Sequence, residues 1–313
     1  MAKAIFTTKV SPTYDDLPEQ RYHFPRTYLR QAEQAVGDWI IYYEPRRPSA
    51  DLMKTGGRQA YFATARVDRI VPDTVRADHF YAEVSCYLEF TRAVPFSEGL
   101  HYYETALRKG DGSTNKGAFG RAVRVLPDRE YDLIWRAGFG HVIGLDPRAR
   151  PAPDIAEEPL AARVAEEAAP FHYDGPFDED RRIVEQLVSR PFRDRAFTAA
   201  VKSAYQDTCA VTGLKIINGG GRSEVQAAHI RPVADRGPDS VRNGIALSST
   251  IHWMFDRGLL AINDDYRLMV ATNLVPEAAR RMLPANRLLR LPDREDLRPH
   301  PVFLAYHRES FKG

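Results

Sequence analysis

The stretch EVQAAHIRPVADRGPDSVRNGIALSSTIHWMFDRGLLAI, residues 224–262, constrains the fold more than any other part of the chain. A short apolar run, VQAA, ends in His229; Asn243-Gly244 follows 14 residues later, and His252 opens an amphipathic segment 9 residues beyond that. VQAAHI reads as a strand, whose rigid backbone aims His229 to one side and Ile230 into the core. Asn-Gly marks a tight turn between extended segments. His252 and Asp256 are four apart, so a helix here puts both on one face and leaves Trp253 and Phe255 off that face to pack inward. Two short strands and a helix are therefore expected in close succession.

Those residue types suit one kind of chemistry. Hydrolysis of a phosphodiester needs an in-line water, a base for its proton, and stabilisation of charge on the phosphate and leaving oxygen. A neutral imidazole accepts a proton near pH 7, which makes His229 the candidate base. His252 and Asp256 can share a divalent cation, and an oxygen-rich site with one imidazole suits magnesium or manganese. Asp256 has an alternative use, pairing with Arg257 or capping the turn before Gly258. By its own chemistry Asn243 is a turn asparagine. Arg231, Arg236 and Arg242 flank the base and the loop after it; as a group they suit phosphate contacts, which position DNA without reading its sequence.

With these residues in this order, the stretch resembles the HNH nucleases, whose ββα-metal motif runs strand, strand, helix. The resemblance implies that His229 activates the water, that Asn243 stabilises the loop between the strands and helps hold the base, and that His252 ligates the metal, with Asp256 as a second ligand one turn later. Many HNH proteins carry Asp or His just before the base, as a further ligand. This chain has Ala228 there, with Asp235 or Glu224 as the replacements at hand. Across residues 190–262 the AAHI-type strand and HxxxD-type helix resemble the predicted restriction endonucleases. Cys209 precedes the first strand without a partner CxxC pair, so it reads as a small buried residue rather than a zinc ligand. INGGGRSE (217–224) reads as a flexible glycine-rich hairpin.

The rest of the chain divides by composition. Residues 1–147 are expected to be mostly β, with strands at 37–45, 58–71, 80–90 and 120–126 and a helix at 126–139 that sets Tyr131, Ile134 and Trp135 on one side. Residues 148–175 form an acidic Pro/Ala-rich linker containing a short helix at 159–169. Residues 176–313 begin with helices at 178–190 and 193–209 and contain a nuclease core at 207–275; in the second helix Phe197, Val201 and Tyr205 fall at i, i+4, i+8. Residues 151–180 are acid-rich with Arg163 as their one Lys or Arg, whereas 181–313 carries more Lys and Arg than Asp and Glu, as phosphate binding favours. The expected class is α+β: a small N-terminal β-barrel joined by a linker and helices to a C-terminal ββα-metal domain.

The ordering YHFPRTYL, GDWIIYYEP, YFATARV, YLEF, RAVRV in residues 1–147 resembles the EVE-like members of the PUA superfamily. These barrels hold modified or flipped bases in an aromatic pocket, and here the resemblance implies one formed by Trp39, Tyr22 and Phe24. The loop 108–117 is polar and basic at both ends, suited to a groove or to plain mobility. EVE-like domains fused to HNH nucleases resemble modification-dependent restriction enzymes, which implies double-stranded DNA bearing 5-methylcytosine or 5-hydroxymethylcytosine as the partner. The alternatives are a conventional sequence-specific HNH endonuclease and a non-catalytic DNA-binding relative. Each HNH site cuts one strand, so a double-strand break needs a homodimer or two successive events. No apolar run reaches the roughly 20 residues a bilayer demands, and with two cysteines there is no disulfide framework; the expectation is a cytoplasmic protein.

Overall fold

The computed structural model describes residues 2–8, 17–45, 58–99, 101–140, 142 and 189–313. The expected linker at 148–175, the helix at 159–169 and all but the end of that at 178–190 lie outside the described residues. The N-terminal part is a six-stranded sheet. Its strands are β1 (Ala4–Thr7), β2 (Arg21–Pro25), β3 (Trp39–Glu44), β4 (Ala60–Pro72), β5 (His79–Pro95) and β8 (Val123–Val125), in the order β2-β5-β4-β3-β1-β8. β1 runs parallel to β3; every other neighbouring pair is antiparallel. A two-stranded ribbon, β6 (Ser97–Glu98) and β7 (His101–Tyr102), follows β5. Among the described residues three α-helices, α1 (Leu29–Gln34), α2 (Lys116–Phe119) and α3 (Asp128–Phe139), and short 3-10 turns at Arg26–Tyr28 and Thr105–Leu107 accompany the sheet.

β4 and β5 are 13 and 17 residues long, and their register shifts three times along the pair. Each such bulge bends the strand and adds twist, so the sheet curls. The curl stops short of the expected closed barrel. β2 and β8 remain the two edges, and no ladder joins them among the described residues. β8 has three residues and is already paired along one side to β1, too little backbone for a seam. Side chains bring the edges together instead. The Tyr22 hydroxyl on β2 donates to the Thr7 carbonyl at 2.8 Å and lies 3.4 Å from that of Ala122, while its ring sits 4.8 Å from that of Phe6.

Alternation along the strands builds two cores, one on each face. On β3, Ile40 and Tyr42 join Phe6, Tyr22 and Phe24 inside the curl, whereas Trp39, Ile41 and Tyr43 face α3 and its Tyr131, Ile134 and Trp135. The expected base pocket of Trp39, Tyr22 and Phe24 is therefore not formed. All three are buried, and Trp39 sits on the face of the sheet opposite to the other two.

The C-terminal part opens with α4 (Arg190–Ala204), which has proline in its first turn, where no N–H is needed. One face of α4 serves two cores. Phe192 and Ala196 pack with Trp135 and Phe139 below the sheet, and the neighbouring stripe, Phe197 and Val201, enters the core of the nuclease unit. That unit contains β9 (Gln226–His229), β10 (Gly244–Leu247), α5 (Ser249–Asp256), β11 (Leu260–Ile262), β12 (Leu268–Val270), α6 (Glu277–Arg280) and α7 (Pro301–Arg308).

Replacing Tyr22 by Phe should cost about 1 kcal/mol, the usual net worth of one internal hydrogen bond, read as a lowered urea midpoint. No change in midpoint would show that ring packing alone holds the edges together.

Candidate active site

β9 and β10 form an antiparallel hairpin in which His229 lies opposite Gly244 and Gln226 opposite Leu247. The glycine is needed for space. A Cβ on Gly244 would overlap Val201 Cγ2 and stand 3.0 Å from Phe197 Cε2, so α4 lies directly on this face. Gly244 itself is extended, at φ −120° and ψ 149°, and begins the strand. The turn expected at Asn243-Gly244 is instead a 3-10 turn, Val241–Asn243, that ends before it. The close approach of α4 lets the Phe197 ring stack on the His229 imidazole, 3.8 Å between centroids and 11° from parallel.

The imidazole is held at a second point. His229 Nε2 is 2.9 Å from Asp239 Oδ1. An ionised carboxylate only accepts, so Nε2 carries the proton and Nδ1 keeps the lone pair. Asp239 has no solvent exposure and also accepts from Arg193 Nε at 2.7 Å and Arg190 Nη1 at 3.3 Å. Burial by itself pushes the Asp239 carboxyl up; the His229 hydrogen bond and the Arg193 and Arg190 charges outweigh it and hold the group below the ordinary carboxylate range. The sequence reading missed Asp239, because it lies ten positions beyond His229 across a loop and nothing in ADRGPDS marks which aspartate turns inward.

Asn243 is fully buried, and its amide staples the loop that carries Asp239. Its Oδ1 accepts from Arg231 N at 2.8 Å, and its Nδ2 lies 3.0 Å from the Arg231 carbonyl and 2.9 Å from that of Pro238. The side chain thus ties the first and last parts of the loop together.

His252 lies toward the other end of β9, where its Nδ1 meets Gln226 Oε1 at 2.7 Å. Gln226 and His229 are three apart on one strand, so their side chains leave opposite faces. Asp256 Oδ2 is 3.4 Å from His252 Nε2, the i, i+4 juxtaposition expected of a helix. These two donors suit a cation that keeps most of its waters. Among the described residues no group of three His, Cys, Asp or Glu could hold a metal. Glu224 accepts from the Ser249 N–H at 3.0 Å at the start of α5, and among the described residues neither it nor Asp235 completes a group of three donors with His252 and Asp256. Phe255 is buried as expected, but Trp253 is 53% exposed, its ring under the Arg257 guanidinium at 4.5 Å. Helical geometry explains the difference: Ile251, Met254 and Phe255 already fill the inward stripe of α5.

The arginines divide. Arg236 is exposed on the loop, in the left-handed region at φ 64°. Arg231 covers the Tyr306 ring at 4.6 Å. Arg242 pairs with the buried Glu19 at 3.2 Å, which turns it away from the phosphate role expected of it. Cys209 is buried, and its sulfur lies 3.4 Å from the N–H groups of Thr212 and Ser248, anchoring the entry to α5.

Residues 209–263 match the HNH_2 family, described as HNH endonuclease, and this stretch is an HNH endonuclease domain. No curated protein matches the chain. Among solved structures it is similar to a "Modification dependent TagI restriction endonuclease", with 16% identity and a TM-score of 0.32, covering 99% of this chain and 81% of that one. It is also similar to the "Type IV phosphorothioation-dependent restriction endonuclease ScoMcrA", with 14% identity and a TM-score of 0.20, covering 80% of this chain and 46% of that one. No helix among the described residues is long and apolar enough to cross a membrane.

Asp239→Asn should slow DNA cutting by about 10²- to 10⁴-fold, because the amide no longer selects the Nε2–H tautomer. The native Asp239 pKa is depressed, so its contribution to stability is complete above about pH 4 and is lost as pH falls through the native value. Urea midpoints measured from pH 7 to pH 3 should accordingly drop less steeply for Asp239→Asn than for the parent.

Proposed function

We propose that this chain is a restriction endonuclease that hydrolyses phosphodiester bonds of double-stranded DNA carrying 5-methylcytosine or 5-hydroxymethylcytosine, with His229 as general base. The observation that carries the chemistry is the clamp on that imidazole: Phe197 on its face, the buried Asp239 on Nε2, and Nδ1 left to accept. Nδ1 takes the proton of the attacking water, and Asp239 then sits against the imidazolium so formed. Asn243 fixes the loop that presents Asp239. Arg236 and Arg231 lie on that loop to meet the DNA backbone.

His252 and Asp256 would hold a magnesium or manganese ion. One imidazole and one carboxylate, with water and phosphate oxygens for the remaining positions, fit either metal. When bound, the metal supplies charge stabilisation at the phosphate and the leaving oxygen. Gln226 orients His252 through Nδ1.

The modified-base reading is supported by the resemblance of residues 1–147 to EVE-like domains. Since Trp39, Tyr22 and Phe24 are closed, a reader would use another recess. A cavity of about 700 Å³ lies where the sheet meets residues 292–301, lined by Phe62, Tyr87 and Phe90 from the sheet and by Arg242 and His300 from the nuclease side. Two copies of the chain, or two successive events, would complete a double-strand break.

A panel of DNAs identical in sequence but carrying cytosine, 5-methylcytosine or 5-hydroxymethylcytosine, digested with magnesium and with manganese, tests the reading. Cutting of the modified DNAs alone is expected. Equal cutting of all three removes the reader and leaves a conventional HNH endonuclease; no cutting with either metal leaves a DNA-binding relative. His229→Ala should lower cutting by about 10²- to 10⁴-fold while DNA binding in a gel-shift assay is retained. Cutting at the parental rate would displace His229 as the base.

A further inference from the structure

The loop that carries Asp239 does not rest on the nuclease unit alone. Asp239 forms an isolated parallel bridge with Leu88 of β5. The next three residues each meet a carboxylate of the N-terminal part. The Ser240 hydroxyl lies 3.1 Å from Glu19 Oε1 and 3.2 Å from Glu89 Oε1, so one proton is set between two carboxylates. The Val241 N–H donates to Glu89 Oε2 at 3.3 Å, and Arg242 pairs with Glu19. Ser240 is fully buried, and so is the Glu19 side chain but for 1%.

Two buried acids this close are a costly way to glue surfaces together. Buried charges contribute little net stability compared with apolar groups of the same shape, yet they fix register where hydrogen bonds satisfy them. Arg242 offsets Glu19. Burial first, and the Glu19 charge second, push the Glu89 carboxyl up to about 7. What the pair does impose is geometry, since it fixes the backbone of residues 240–242, directly after the aspartate that holds the base.

We propose that Glu89, together with Glu19, is a positioning residue for the nuclease centre: from the N-terminal sheet it holds Ser240–Arg242 and so sets Asp239 against His229. The inference rests on the reading of His229 as base. A catalytic group displaced by about 1 Å can lose a hundredfold in rate, and a shift of β5 reaches Asp239 through one peptide link.

The test compares Glu89→Leu, Glu89→Gln and Ser240→Ala in the full chain, each with melting temperature, kcat and KM on cleavable DNA, and the His229 imidazole signal in ¹⁵N-histidine-labelled protein across pH. For Glu89→Leu we expect kcat to fall about a hundredfold, KM to stay within about twofold, and the His229 titration to move. Glu89→Gln keeps one carbonyl oxygen for the Val241 N–H and should recover most of kcat. Ser240→Ala, which removes only the hydroxyl, decides the matter if Glu89→Leu does not fold; it should lower kcat and move the His229 signal too. Folded variants with parental kcat and parental His229 titration overturn the inference. If the parent cuts DNA and Asp239→Asn slows it while these variants change nothing, this inference fails alone. If the parent cuts no DNA but the variants still move the His229 signal, the nuclease reading fails and the coupling stands.

Discussion

A single buried carboxylate organises the nuclease end of this molecule. Asp239 is fully out of solvent and would be intolerable there without compensation. His229, Arg190 and Arg193 supply it, and in doing so they are themselves placed. The imidazole is left with one tautomer and one orientation. The two arginines come from the first turn of α4, so the helix is pinned at the same point. A charge that could not otherwise be buried becomes the reason why a loop, a strand end and a helix meet as they do.

α4 extends that dependence across the molecule. Its first turns belong to the core beneath the sheet, through Phe192 and Ala196, and its later turns to the nuclease core, through Phe197 and Val201. Divided by composition, residues 1–147 and 176–313 look like separate domains. Their packing makes them share a helix, and the Glu19–Glu89–Ser240 contacts add a polar joint beside it. Gly244 shows how tightly this is built, since no side chain fits between the β9–β10 hairpin and α4.

The two halves of the HNH unit differ in how well they are held. His229 has aromatic and ionic support and little freedom. His252 and Asp256 lie on a more open face, with Asp256 51% exposed and His252 held by Gln226 at Nδ1 and Asp256 at Nε2. That asymmetry suits the roles proposed for them: a base must be aimed before the water arrives, whereas a hydrated divalent ion would take part of its coordination from solvent and substrate and tolerate fewer protein ligands.

Much of the site was legible in the sequence because its signals are local. A strand ending in His229 and an i, i+4 pair at His252 and Asp256 follow from short-range periodicity and side-chain chemistry, whereas Asn243 reads by its own chemistry as a turn residue and its burial comes only with the fold. The inward faces of α3 and α4 follow from the same periodicity: Tyr131, Ile134, Trp135, Phe197, Val201 and Tyr205 are all buried. What the sequence could not determine is what distant segments do to one another. Alternating aromatics specify a sheet but not whether it closes, because closure depends on which edges find partners; here three-residue β8 leaves the task to Tyr22. The same alternation cannot tell a pocket from a core, so Trp39, Tyr22 and Phe24 were legible as aromatic and not as covered. Which aspartate holds His229, and which arginine is taken up by Glu19, was decided by tertiary structure alone, because only folding brings those charges within reach of each other.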